Sequence, residues 1–284
     1  MSAPEPSPAP SEEDLPPFFE KWDRTHLAVF GHGLAQENLL QMRQLGRILA
    51  GRDFRFLPLD TPYHAWDHML QTADIFSQLF ARYTTEEVPD WLPDHFRVGL
   101  WASLLHDSGY LKERHDEEGT GAKYTSVHVR RGQEFARRFL SEQNWDPALI
   151  MRVWRIIGGT DYRQQLNRID YSDEAEWRLT QMVVTADFVS QLSDHRYPDK
   201  IPHLFAEFRE SWDFNQTPPR ERDYATDQAM MRQSPQFWKE VVLPKLTDEA
   251  GNLFAYLRDP YPEGRNGYEE QIERNLERIR TLAQ

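Results

Sequence analysis

The sequence predicts an all-α fold, on three observations. Proline is absent from residues 94–146 and again from 148–197, which leaves two stretches each long enough for several helices. Apolar residues recur at a helical period in these stretches and before them. Alternating strand patterns are scarce, and neither a fixed-period repeat nor a Gly/Ser linker divides the chain. The expectation is a single helical-bundle domain over residues 18–284.

Residues 1–17 hold six of the 19 prolines and four acids but no Lys or Arg, so a disordered tail is expected there. The tail lacks the basic start and apolar core of a secretory signal, and a cytoplasmic address follows by default. Leu39, Leu40, Met42, Leu45, Ile48 and Leu49 form a first apolar stripe, and Phe135, Phe139 and Leu140 a second. Trp177, Leu179, Met182, Val183, Ala186, Val189 and Leu192 mark a third, long helix. The aromatic-rich region 205–257 reads as core packing, with a lid as the alternative. A terminal helix over Tyr268–Leu282 mixes Glu and Arg and reads as a solvated outer face.

Composition narrows the chemistry. Among 284 residues, 33 Lys and Arg stand against 46 Asp and Glu, a net charge of −13. With the acidic tail set aside, −9 is left on the body, the wrong sign for a general binder of nucleic-acid polymers or anionic membranes. No apolar run approaches the roughly 18 residues of a membrane span. Cysteine is absent, which removes disulfides, a thiolate nucleophile and Cys-ligated zinc. Histidine and carboxylate chemistry is left.

Three segments could carry it. In Thr61-Pro62-Tyr63-His64-Ala65-Trp66-Asp67-His68, Thr61 suits an N-cap and Pro62 the first helical position. His64 and His68 would then be i and i+4 on one face, spaced to address a metal or to share metal binding and proton handling; incidental packing is the alternative. The apolar run Val98–Leu105 ends in His106-Asp107, with Gly109 placed as a helix stop. A buried carboxylate there needs a partner, either a divalent cation or an ordinary hydrogen-bonding neighbour. Asp187 interrupts an apolar helix, and Gln191 and Asp194 follow on its face as a pocket wall or a solvent-facing edge. Between these segments, Gly119, Gly121 and Lys123 could cradle a phosphate or form a plain loop with a surface Lys. His128 starts the next helix and could point back to the site, whereas His115 belongs to a solvated charge run.

Taken together, His68, His106-Asp107 and Asp187 resemble the HD superfamily of metal-dependent phosphohydrolases, over about residues 60–195. Tyr63-His64 with His68 is similar to the Tyr-His-Asn-x-x-His start of cyclic-nucleotide phosphodiesterases and bacterial HD hydrolases. His106-Asp107-Ser108-Gly109-Tyr110 is similar to the doublet context of bacterial members, and Thr185-Ala186-Asp187 to the final helix. Ala65 departs from the pattern, replacing the Asn and its hydrogen bond.

The resemblance implies an HD-type bundle in which His68, His106, Asp107 and Asp187 hold one divalent ion, with Asp107 able to bridge to a second. Mn, Mg, Fe, Ni and Zn all suit two imidazoles and two carboxylates. It implies hydrolysis of a phosphomonoester or phosphodiester by metal-activated water, with a nucleotide as the leading substrate. His64 would protonate the leaving oxygen, while Lys123, His128 and Gln191 would contact substrate. The rivals are a di-iron HD-type oxygenase, a non-catalytic HD module that binds a nucleotide or protein partner, and a purely structural helical protein. Oligomeric state is not legible.

Overall fold

The architecture follows from which helices are apolar all round. A computed structural model describes residues 15–283 and contains no strand among them, only two isolated bridges, Phe56–Glu113 and Asp259–Arg265. The fold is all-α, as expected. Its first helices are α1 (Leu15–Phe30), α2 (Gln36–Leu49), α3 (Trp66–Glu87), α4 (Pro93–Leu105) and α5 (His128–Glu142). Then come α6 (Pro147–Gly158), α7 (Glu174–Ser193), α8 (Tyr197–Phe214), α9 (Asp227–Phe237) and α10 (Gly267–Leu282).

Two of these are central, each being buried along most of its length. In α4, Pro93 occupies the first turn and every residue from Val98 to Leu105 is buried. In α7, Asp173 caps the N-terminus by accepting from Glu176 N–H, and Leu179 to Ala186 are all buried. With α3 they form the middle of the bundle, each packing on the other two. The other helices are amphipathic and cover this centre. In α5, Phe135, Ala136, Phe139 and Leu140 face inward and arginines outward. α6 starts on an Asp146 cap with Pro147 behind it and packs between α5 and α4.

Several sequence expectations are corrected. Most of the tail, residues 1–14, lies outside the described residues, but Leu15–Pro17 open α1. Buried Leu15, Phe19 and Trp22 anchor that helix, and prolines at its start cost no hydrogen bond. Leu40 leaves the first stripe and is 64% exposed. Helix α10 is not simply an outer face, because Ile272, Leu276 and Ile279 are buried. Its Asn275 donates from Nδ2 to the Leu192 and Asp194 carbonyls, satisfying orphan acceptors at the end of α7. Region 205–257 is packed in part: Trp212, Val242, Leu246 and Phe254 are buried, while Phe214 is exposed.

Gly109 is not the stop for α4, which ends at Leu105. The chain continues through His106 and Asp107 into a short 3-10 turn at Ser108–Tyr110. Gly109 is needed because α5 sits directly on this turn. A Cβ there would lie 1.9 Å from the His128 carbonyl oxygen and 2.6 Å from Gly132 N. Both obstacles are backbone, so Gly109→Ala forces α5 away from the doublet. We expect a loss of about 1–3 kcal/mol, the usual range for overpacking, read as a lower denaturation midpoint in urea.

Candidate metal centre and its cavity

His68 and Asp187 come from α3 and α7, and His106-Asp107 follows the end of α4, so the candidate ligands sit where the three central helices meet. His68 Nε2 is 3.1 Å from Asp187 Oδ1, 3.3 Å from His106 Nε2 and 3.5 Å from Asp107 Oδ2. His106 Nε2 is 3.1 Å from Asp107 Oδ2 and 3.5 Å from Asp187 Oδ1. His68, His106 and Asp107 are buried, and Asp187 keeps 19% of its side chain exposed.

These donors fit a divalent cation on three counts. First, the spacing matches: ligands about 2.0–2.2 Å from an ion lie roughly 3.0–3.5 Å from one another when adjacent. Second, Asp107 Oδ2 is a buried oxygen with no hydrogen-bond partner, which is costly unless something else meets it. Third, two imidazole Nε2 atoms face each other at 3.3 Å, the spacing that two ligands of one ion would share. His106 Nδ1 is engaged with the Ser103 carbonyl, which leaves the Nε2 lone pair of the neutral ring for the cluster. His68 Nδ1 lies 3.4 Å from Ser190 Oγ, itself held by Thr72.

Electrostatics point the same way. Burial would lower the His106 pKa, but Asp107 and Asp187 overcome it and hold the ring well above the usual imidazole range. Burial would raise Asp107, and the surrounding imidazoles of His106, His64 and His68 instead hold it well below the usual carboxylate range. Asp187 is likewise depressed, with His106 and His68 outweighing burial. Two buried carboxylates thus draw positive charge into the cluster, which a divalent cation supplies in full.

His64 arrives differently from the sequence expectation. Helix α3 begins at Trp66, not at Thr61 or Pro62. The reason is Glu207 on α8, a fully buried carboxylate that accepts from Tyr63 N–H at 2.6 Å and His64 N–H at 3.2 Å. Thr61 Oγ1 meanwhile donates to the His64 carbonyl. With its polar groups engaged by these partners, the segment before Trp66 is a turn. Ala65 caps α3 without a side-chain bond. His64 and His68 are therefore not stacked one helical turn apart; their rings lie 6.2 Å apart at 81°. His64 Nδ1 is 2.5 Å from Glu207 Oε2, so Nε2 is the nitrogen left for chemistry.

A cavity of about 860 Å³ opens over this cluster, lined by His64, Asp107, Tyr110, His128, Asp187 and Gln191 among others. The Tyr110 ring stacks at 4.7 Å against both His64 and His128. His128 Nδ1 bonds the Thr125 carbonyl, and its Nε2 lies 3.7 Å from Asp107 Oδ1. Burial lowers His128 below the usual imidazole pKa, despite Asp107 beside it. Asp194 does not continue the Gln191 face; it lies past the end of α7 and pairs with Lys200 at 2.9 Å.

Lys123 is not at the site. It is 3% exposed, does not line the cavity, and pairs with Asp116 and the Glu118 carbonyl. The loop's backbone donors are taken as well: Thr120 N–H goes to Glu210 and Gly121 N–H to Asp60. A loop already filled by carboxylates has no cradle for phosphate. Lys123→Met is therefore expected to leave substrate KM unchanged and to cost stability by about 1–3 kcal/mol, the worth of a hydrogen bond to a charged group. Urea unfolding beside steady-state kinetics separates the two effects. His115, at 82% side-chain exposure, is solvated as expected.

Sequence reasoning missed Glu207. The one signal was a lone carboxylate inside the apolar run Leu204-Phe205-Ala206-Glu207-Phe208, the same kind of interruption that marks Asp187.

Residues 112–259, just over half of the chain, match the model of a family described as Npun_R2479-like. The match spans His128, Asp187 and Glu207 and begins just after the His106-Asp107 doublet. No curated protein matches the chain. No helix among the described residues is long and apolar enough to cross a membrane.

Proposed function

The chain belongs to the Npun_R2479-like family, and for it we propose a metal-dependent phosphoester hydrolase of HD type acting on a small phosphorylated substrate. One observation carries the proposal: donor atoms of His68, His106 and Asp107 lie within 4.8 Å of one another, with Asp187 3.1 Å from His68, beside a histidine, His64, that lines the same cavity. When bound, a divalent cation supplies acidified water and a counter-charge for the phosphoryl oxygens.

The protein's own residues do the rest. His68, His106, Asp107 and Asp187 would hold the cation, and the burial of the first three prevents them from swinging to water. Glu207 fixes the His64 ring and keeps its proton-carrying form favoured. Water oxygen would bond to phosphorus and release its proton to solvent, the bond from phosphorus to the leaving oxygen would break, and the alcohol would depart with the proton of His64 Nε2, which solvent then restores. Gln191 offers a polar amide to the substrate from the cavity wall. A cytoplasmic setting, expected from the sequence, belongs to the same proposal.

The test is metal content by mass spectrometry together with a phosphomonoesterase and phosphodiesterase screen in added Mn, Mg, Fe, Ni or Zn. The expected result is stoichiometric metal and turnover that chelator abolishes. Bound metal with no turnover on any ester would replace the proposal with a non-catalytic binding module. A second reading, a two-cation site as in the oxygenase rival, draws on His128 Nε2 facing Asp107 Oδ1. Two irons per chain and oxygen-dependent turnover would favour it.

A further inference from the structure

The cavity is much larger than a phosphoryl group needs, and its lining mixes polar side chains with a set of apolar ones. Phe188, Phe208, Met230, Phe237 and Val241 come from α7, α8, α9 and the helical segment after α9. At about 860 Å³ the space lies within the roughly 300–1,000 Å³ of pockets that enclose a whole organic ligand.

The charges facing this space are unusual for a phosphate site. Four aspartates line it, Asp107, Asp161, Asp187 and Asp223, against three arginines. Arg155 is already held by both oxygens of the fully buried Glu176. Arg130 and Arg163 are exposed, and Arg163 bonds the Tyr162 hydroxyl. No lysine lines the cavity among the described residues; nearby Lys112 and Lys123 are buried and paired to Asp60 and Asp116. Beyond a single divalent cation, little offsets further negative charge. With one divalent cation and the two arginines not held by Glu176 set against the four aspartates, the charges about balance, so a phosphomonoester dianion or a polyphosphate leaves more uncompensated charge than a diester, which brings only one.

We propose that the substrate is a singly charged phosphodiester bearing one large apolar group, which lodges among Phe188, Phe208, Met230, Phe237 and Val241. This rests on the hydrolase reading and deepens it by naming the substrate class. It also shifts the expectation away from nucleotides, whose sugar and base would place many polar atoms against these side chains.

The test uses the metal-loaded protein and alkyl 4-nitrophenyl phosphates from methyl to octyl. Transfer of each methylene out of water predicts kcat/KM rising roughly two- to fourfold per carbon. 4-Nitrophenyl phosphate and a nucleoside 3′,5′-cyclic phosphate should be poorer substrates than the octyl diester. Calorimetric binding of uncleaved methyl alkylphosphonates of the same chain lengths gives a readout independent of turnover, and should show the same slope. Phe237→Ser, at a half-buried position, should flatten both slopes; Val241→Ser repeats the test should the first variant fold poorly. Ester cleavage with no dependence on chain length, or with the monoester or cyclic nucleotide preferred, overturns the inference and leaves the hydrolase intact. Length-dependent phosphonate binding with no ester cleaved removes the hydrolase reading and keeps the apolar ligand.

Discussion

Asp107→Asn is expected to abolish cation binding and hydrolysis together. Asp107 is 2% exposed, lies 3.1 Å from His106 Nε2 and 3.5 Å from His68 Nε2, and presents a buried oxygen left without a hydrogen bond. An amide there has the shape of the acid but not its charge, and its nitrogen can only donate toward the cluster. Loss of even an outer partner of a metal ligand costs about 10–100-fold in affinity or activity, so loss of a charged ligand should exceed the upper end of that range. Metal analysis after gel filtration and a turnover assay check the two halves. Circular dichroism matching the parent would show that the bundle survives. A variant that keeps its turnover while metal-free would end the proposed mechanism.

His64→Ala is expected to do the opposite on one count: metal stays, while activity falls roughly a hundredfold to ten-thousandfold, the range of a positioned acid. The pH profile then tests Glu207 as the positioning residue. Burial alone would lower His64, but Glu207 on α8 overrides it, with Asp107 after α4 and Asp187 on α7 acting in the same sense. The titratable rings of His128 on α5, His68 on α3, Tyr63 and Tyr110 also lie beside it. The folded pKa of His64 is thus raised, so the acid form persists to higher pH, and the rate declines as pH rises through that value.

Glu207→Gln retains an acceptor for the Tyr63 and His64 N–H groups but removes the charge. The alkaline limb should move to lower pH while metal content stays unchanged, a shift that loss of packing alone would not produce. Linkage gives a second sign. A raised imidazole pKa contributes stability that is complete below about 6.5, the unfolded value, and is lost as pH rises through the folded one. In Glu207→Gln that slope in the unfolding free energy should weaken.

Legibility in the sequence followed the range of the forces involved. The helices of the bundle were readable because a helical period and a proline gap are local properties, as in α4 and α7. The polar residues interrupting apolar runs were readable for the same reason: burying His106-Asp107 or Asp187 is expensive, and the expense shows in the sequence wherever the run is long enough. Three expectations failed where a distant partner intervened. Glu207, 143 positions beyond His64, took the backbone donors that would have started α3 earlier. Asp116, Asp60 and Glu210 filled the loop that looked like a phosphate cradle. Gly109 answered to the backbone of α5 and not to the end of its own helix.

By itself, then, the sequence determined that this protein is a helical bundle with histidines and aspartates set into its apolar runs as candidate site residues, because periodicity, proline placement and the absence of cysteine are written residue by residue. Only the tertiary structure decided that His68, His106, Asp107 and Asp187 share one small space, that Glu207 governs His64, and that Lys123 stands apart. The first two outcomes depend on contacts between segments roughly 40 to 140 positions apart, which form only once the apolar faces have been driven out of water, and the third on the pairing of Lys123 with Asp116 in its own loop.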